Sequence, residues 1–533
     1  MNKNDLSISE AVLSVAGENR NKTALTYMGK SISYKEFSSK IQKLSLSLFS
    51  LGIKEGECVL VALSNIPQAV YLLYALNRIG AVPAFVSPLC SEKELEKYIK
   101  ICNCRFVFAF DFLADKLKTK EVRAITCSPF DELFPFLKSK NSYLSLLIKA
   151  EKQNIFLTPQ KPEGTAVILF SGGTTGEPKA VELSNRNLNA LALGTEAVCE
   201  GEVSGVKMLG VLPVFHGFGL GICVHTTLFF GGNVLLVPRF DVEKTARLIK
   251  HKKPKYIACV PSMLSPFMSS KALKNADLSF LSGVFSGGDY LSFNLEKSFN
   301  DFLVSHNSTV KVRQGYGLTE CVAAACLMPA TQSRPYSMGK PYPDTFCKIV
   351  RVNTCLAAKE SEVGEICISS DMVMKGYLNN PDETKEALKV HSDGKVWLHT
   401  GDLGYKDGDG FLYFKGRLKR LIVTNGLNVY PSEIEKPLLT REDVKDCCAV
   451  GLRDEKKLSS VGLLIEMNLD SFDENEKKQE LLDFLRAYVS KQALPEYIYF
   501  ANEIPKTPLG KTSYKEAQCL LQEKILQKQT VHL

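Results

Sequence analysis

The chain has 533 residues, 66 of them Lys or Arg and 58 Asp or Glu, for a formal net charge of +8, and 45% are hydrophobic. That length exceeds what one hydrophobic core usually organises, so two or more domains are expected. A charge this small, without a dense basic block, excludes a nucleic-acid-binding arm and is merely compatible with a weak pull on anionic ligands.

The N-terminus mixes Lys3 with Asp5 and has no apolar run behind it, so a signal peptide is not expected. From Ser33 the pattern alternates: a helical run ends near Gly52, a strand covers 59–63, a helix 69–79, a strand 82–86, a helix 92–101 and a strand 106–110. Strands alternating with helices of that length indicate βαβ units and a parallel sheet. Residues 166–170 read as a further apolar strand. The apolar stretch 211–238 is broken by His216, His225 and several glycines, which suits a buried α/β core better than a bilayer span. Asp241 can cap a helix to about His251, and 256–260 reads as the next strand. After Gly339 short strands at 348–352, 365–368 and 411–414 alternate with Gly and Asp turns, as in a small β-subdomain. Beyond Arg417 the chain reads as a compact α+β unit, with strands near Cys448 and Leu463 and an amphipathic helix at 477–490. The sixteen cysteines are scattered singly through apolar stretches, as at Cys223, Cys259 and Cys367, like buried thiols of a reducing, cytoplasmic compartment. Cys102 with Cys104, and Cys447 beside Cys448, lack the paired spacing of a zinc site.

The sharpest local signal is Ser171-Gly172-Gly173-Thr174-Thr175-Gly176-Glu177-Pro178-Lys179, directly after an apolar strand. Its glycines let backbone amides converge on an anion, the threonines add hydroxyl donors and Lys179 adds a point charge. This is a phosphate-binding loop but not a Walker A motif, since no Gly-Lys-Ser/Thr closes it. The one Gly-Lys-Thr, at Gly510-Lys511-Thr512, has Pro505 where a Walker loop needs its first glycine. Standing alone, the Ser171 loop has a flexible surface turn as its lesser alternative.

Four further segments follow in order: Gln314-Gly315-Tyr316-Gly317-Leu318-Thr319-Glu320, Thr400-Gly401-Asp402, Gly416-Arg417-Leu418-Lys419 and Gly510-Lys511. With the first loop they make the chain resemble, over nearly its whole length, the acyl-AMP-forming superfamily of acyl-CoA synthetases, firefly luciferase and nonribosomal peptide adenylation domains. The resemblance implies an α/β fold. Residues 1–417 would form a large N-terminal domain of parallel-sheet αβ subdomains with a small β-barrel-like subdomain, and 418–533 a small mobile α+β C-terminal domain hinged at Lys419.

The resemblance also assigns roles. Thr174, Thr175 and Lys179, within Ser171 to Lys179, would hold the β- and γ-phosphates of ATP. Tyr316 would stack on adenine, while Gly287 and Gly288, in Ser286-Gly287-Gly288-Asp289, would let the backbone approach the ring, beside Gly315, Gly317 and Thr319. Glu320 would bind Mg²⁺, a hard cation that takes carboxylate and phosphate oxygens. Asp402 would accept from the ribose hydroxyls, with Arg417 as a second contact. Lys511 would stabilise the charge that develops as carboxylate attacks the α-phosphorus. Rotation about Lys419 would then exchange Lys511 for a thiolation face containing Gly426.

Amino-acid-activating relatives carry a Phe-Asp motif whose carboxylate pairs the substrate ammonium. Here Leu212-Pro213-Val214-Phe215-His216-Gly217-Phe218-Gly219 offers none, which disfavours an amino acid. The segment resembles acyl- and aryl-CoA ligases, in which the residue matching His216 lies at the acid pocket and gates it. Gly217, Gly219 and Gly221, with Ala323 to Ala325, are expected to leave room for an apolar chain, so a medium- or long-chain fatty acid is the expected substrate. CoA is the expected thiol, from the likeness of Thr424-Asn425-Gly426-Leu427-Asn428-Val429-Tyr430-Pro431 to fatty acyl-CoA synthetases. A carrier-protein phosphopantetheine presents the same thiol, and a non-catalytic nucleotide-binding relative is a third reading, set against retention of Lys179, Glu320 and Lys511. A monomer or homodimer is expected. Ala180 and Arg420 depart from the family pattern of Gly after the loop Lys and an acidic residue after the hinge. Arg420 is expected to alter domain rotation or draw an anionic partner.

Overall fold

A computed structural model describes residues 3–117, 122–134, 142–148, 160–172, 177–199, 202–424, 427–454, 458–469, 471–506 and 512–530. The chain divides into two compact units, one of Met1–Lys348, Cys367–Thr400 and Asp409–Leu412, the other of Ile349–Ile366, Gly401–Gly408 and Tyr413–Leu533.

The first unit holds two large sheets, of seven and nine strands. At the centre of the seven-stranded sheet Cys58–Ala62 lies parallel to both Val82–Phe85 and Phe106–Phe110, and Val82–Phe85 lies parallel to Thr165–Ser171. These are the expected βαβ strands, buried on both faces as parallel strands must be. Helices of this unit begin at capping side chains. Ser91 and Glu94 form a reciprocal capping box on Glu92–Cys102, which ends at Asn103 in the left-handed region, and the Asp241 side chain accepts from the Lys244 amide to start Val242–Lys252.

Two features of this unit depart from the periodic pattern. Thr165–Ser171 does not lead into a crossover but turns back into the antiparallel strand Lys179–Ser184, against which Gly376–Tyr377 adds a further antiparallel edge. The apolar stretch after His216 forms a π-helix, Phe218–Thr226, nearly all buried. In the nine-stranded sheet Tyr256–Cys259, Gly283–Ser286 and Val312–Tyr316 run parallel and side by side, delivering the Ser286 and Gln314 ends together.

The short strands expected at 348–352, 365–368 and 411–414 are present as Phe346–Val350, Gly364–Ser369 and Leu412–Arg417, while Leu388–Val390 and the longer Val396–Lys406 were not anticipated. In the second unit Val444–Asp454 pairs antiparallel with Leu458–Met467, which runs parallel to Tyr497–Phe500. Alternate residues of these strands feed two cores: Leu463 and Ile465 pack with Ile434, Leu481 and Leu485, while Leu464 and Val450 pack with Ala517 and Leu521. Period-2 strands thus place helices on both faces. The helix expected at 477–490 runs instead over Glu474–Leu485, because Asp473 caps it by accepting from the Asn475 and Glu476 amides.

Candidate active site

The hairpin explains how Ser171 and Lys179 come to face each other: they are the last paired residues of its two strands, so the glycine- and threonine-rich segment bridges two strand ends. Gly172 is described, while Gly173, Thr174, Thr175 and Gly176 lie outside the described residues. Ala180 is an ordinary buried strand residue whose carbonyl accepts from the Leu378 amide, so a Cβ is accommodated where the family pattern has Gly.

Glu320 sits in the short 3-10 turn Thr319–Cys321 that follows Val312–Tyr316. Its Oε1 accepts from the Ser171 hydroxyl at 3.0 Å and from the Tyr377 phenol at 3.0 Å, and its carbonyl accepts from the Met374 amide at 2.8 Å. Burial, then the Glu320 carboxylate, drive the Tyr377 phenol well above its ordinary pKa, which keeps it a donor. Tyr377 is fixed in turn, since its amide donates to Thr384 Oγ1 at 2.9 Å. The Lys179 ammonium lies 4.8 Å above the Tyr377 ring and pairs with Glu383. A carboxylate flanked by hydroxyls, beside a lysine and a glycine-rich loop, is an oxygen donor set that fits a hard cation such as Mg²⁺ and its phosphate ligands.

The second cluster of the first unit is built by close backbone approach. A Cβ on Gly287 would stand 3.3 Å from the Phe218 ring and 3.4 Å from the Gly315 carbonyl, and one on Gly317 would stand 1.9 Å from the Ala323 carbonyl. Gly288 has φ +81°, open to glycine at no steric cost. Asp289 Oδ1 accepts from the Tyr290 amide at 2.8 Å, and the half-buried Tyr316 accepts from the Ala325 amide through its carbonyl.

The loop carrying His216 is clamped by Asn65. This buried amide donates to the Gly210 and Leu212 carbonyls at 2.9 and 2.8 Å and accepts from the Val214 amide at 2.9 Å. The His216 ring lies 4.9 Å from that of Phe215. Gly217, Gly219 and Gly221 do not leave room for an acyl chain. Their missing Cβ positions would lie 1.5 Å from the Val322 carbonyl oxygen, 2.1 Å from the Pro213 carbonyl oxygen and 2.6 Å from the Leu191 side chain, so they serve tight packing. Val322 itself has φ 63° and ψ −61°, and Ala323 N donates to Cys321 O at 2.7 Å. That is a γ-turn of the strained hand at a β-branched residue, and strain of this kind collects at functional sites. It presses the segment after Glu320 against the His216 loop. His225 is different: fully buried between the Tyr74 hydroxyl at 3.2 Å and Asn189 Oδ1 at 3.1 Å, with its pKa pushed down to about 3 by burial, it is a core histidine.

In the second unit Asp402 and Arg417 meet, with Nε 2.8 Å from Oδ1. The carboxylate is buried and the guanidinium half exposed. Gly401, before Asp402, has φ +69°, and its amide donates to Glu365 Oε1 at 2.9 Å. Lys419 occupies the 3-10 turn Leu418–Arg420. Arg420 does not present its charge to a partner. It bonds Glu435 at 2.6 Å and the Ala449 carbonyl at 3.3 Å, and stacks 3.4 Å from the Tyr514 ring, so the unit neutralises it internally. Gly426, Gly510 and Lys511 lie outside the described residues. The chain on either side of 507–511 is paired, by the Lys506–Thr512 bridge and by Ser513 N donating to Pro505 O at 2.8 Å.

The sequence reading missed Tyr377, Glu383, Asn65, Phe218 and the strained Val322. Of these only Asn65, a polar residue between apolar runs, carries a local signal. Among the described residues no helix is long and apolar enough to cross a membrane, and the cysteines are free thiols.

Comparison with known proteins gives the family. The AMP-binding enzyme family matches residues 13–378 and its C-terminal domain matches 433–511. A long-chain-fatty-acid–CoA ligase of Bacillus subtilis (strain 168) is 29% identical, the alignment covering 96% of this chain and 92% of the relative. A 4-coumarate–CoA ligase of Vanilla planifolia is 30% identical over 90% of this chain and 87% of its own. The crystal structure of ATP-bound MatB from Rhodopseudomonas palustris superposes with a TM-score of 0.85, at 22% identity over 96% of this chain and 99% of the other. The chain belongs to the AMP-binding enzyme family, within it to the acid–thiol ligases of the acyl- and aryl-CoA ligase branch.

Proposed function

We propose that the chain activates an apolar carboxylic acid, first among them a medium- or long-chain fatty acid, as an acyl-AMP and then transfers the acyl group to CoA. The observation that carries the reading is the junction of Ser171, Lys179, Tyr377 and Glu320, which sets a cation and a metal-type carboxylate at the two ends of a phosphate-type loop. In the first half-reaction a carboxylate oxygen attacks the α-phosphorus and pyrophosphate leaves. Lys179 and the loop hydroxyls take up the leaving charge, and Mg²⁺ held at Glu320 would neutralise the phosphates. By the family resemblance Tyr316 with Gly287 and Gly288 would hold adenine, Asp402 with Arg417 would hold the ribose, and Lys511 would stabilise the charge on the reacting oxygens. In the second half-reaction the thiol sulfur attacks the acyl carbon and AMP leaves, after residues beyond Lys419 have turned to replace Lys511 by the segment containing Gly426.

The acid assignment is supported by the Bacillus subtilis relative and by the lack of an Asp or Glu within the sequence Leu212–Gly219 to pair an amine. A cytoplasmic location fits the free thiols. The test is thioester formation with ATP, Mg²⁺ and free CoA against fatty, aryl and amino acids. A fatty acid giving the highest kcat/KM supports the proposal. Preference for an aryl acid overturns the acid assignment, and thioester formation only on a carrier protein overturns CoA. Acid-independent silence, with AMP still bound, points to the non-catalytic alternative.

A further inference from the structure

The ammonium that the proposed function assigns to the phosphates already has an anion on it. Lys179 pairs with the Glu383 carboxylate while lying over the Tyr377 ring. The placement of Glu383 is built by its own segment. Asn380 caps the turn by accepting from the Glu383 amide at 3.2 Å, and Thr384, next along, receives the Tyr377 amide on its hydroxyl. The turn that carries Glu383 is therefore tied to the residue over which Lys179 sits. The pair is partly solvated, with side chains 22% and 40% exposed, so a better anion can exchange for the carboxylate. A triphosphate supplies that anion: it carries more charge than a carboxylate, and its oxygens suit a lysine point charge.

We propose that Glu383 is a built-in competitor for the phosphate chain, occupying Lys179 in the nucleotide-free enzyme, giving it up to ATP, and recapturing it as pyrophosphate leaves. This rests on Lys179 holding the phosphates. The competitor weakens ATP and pyrophosphate together. It leaves AMP untouched, because AMP lacks the phosphates that reach Lys179.

The test is Glu383→Gln in the full chain, with Asp382→Asn, an exposed neighbouring carboxylate, as the control for simple loss of negative charge. For Glu383→Gln the KM for ATP and the inhibition constant for pyrophosphate should each fall about two- to fivefold, the range an exposed ion pair supports. The Kd for AMP by calorimetry should stay at the wild-type value, and the gain should shrink as salt rises. Unchanged or raised constants for ATP and pyrophosphate overturn the proposal, as does an equal gain in Asp382→Asn. A wild-type enzyme without acid-dependent pyrophosphate release would instead sink the functional reading, an outcome seen before any variant is made.

Discussion

Replacing Gly217 by Ala sets a methyl group against the Val322 carbonyl: the added Cβ would lie 1.5 Å from that oxygen, where contacts under 3.0 Å are essentially never found. The two segments must part by the difference, at least about 1.5 Å. Neither yields easily. Asn65 clamps the loop through three hydrogen bonds, and Val322 sits in a strained turn two residues after Glu320. Overpacking of this kind costs about 1–3 kcal/mol of stability. The larger effect is on turnover, since a displacement of about 1 Å at a reacting centre is worth about a hundredfold. Gly217→Ala should therefore fold with a lowered Tm and release pyrophosphate about a hundredfold more slowly at saturating ATP and acid. Gly17→Ala is the control. It lies in the helix Ile8–Glu18 with nothing within 4 Å of the added Cβ, so turnover should hold and stability rise by about 0.5–1 kcal/mol. Wild-type turnover in Gly217→Ala would refute the claim that this contact sets the site.

The remaining predictions concern His225, Arg420 and Lys511. The buried His225 has a folded-state pKa lowered from 6.5 to about 3, so the unfolded chain binds its proton first, and stability, complete above about pH 6.5, falls as pH drops toward 3. At about pH 5 the loss is about 2 kcal/mol, and urea midpoints of His225→Asn should show a shallower acid limb than wild type; parallel limbs would refute it. Arg420→Ala leaves Glu435 largely buried with its cation gone, so the second unit should lose about 3 kcal/mol, partly restored in Arg420→Ala/Glu435→Gln, as read by thermal unfolding. Lys511→Ala should slow adenylation by about two to three orders of magnitude while thioester formation from supplied acyl-AMP survives; equal loss of both steps would contradict the division of labour.

The parts legible in the sequence are those whose physics is local. Strand and helix periods placed 58–62, 106–110 and 165–171 within a residue or two, and Asp241 marked a helix start through its cap. The π-helix at Phe218–Thr226 was not legible, because a run apolar on every side has no period to read. Nor was the return strand Lys179–Ser184, whose apolar residues are mixed with Lys179, Glu182 and Ser184 and do not mark a strand until its partner is known. The glycines of 217–221 were legible as special and misread in purpose: whether a missing side chain makes a cavity or admits a carbonyl is decided by a distant residue, here Val322. Tyr377 and Glu383 act on Glu320 and Lys179 across long stretches of chain, and only the fold brings them there.

The central claim is that the acid's own oxygen attacks the α-phosphorus of ATP. It is tested most directly by supplying the acid with both carboxylate oxygens as ¹⁸O and analysing the nucleotide by mass spectrometry after thioester forms. Attack at the α-phosphorus followed by thiol attack at the acyl carbon leaves one labelled oxygen in AMP, which is the result expected. Unlabelled AMP, or ADP with the label in inorganic phosphate, would contradict it.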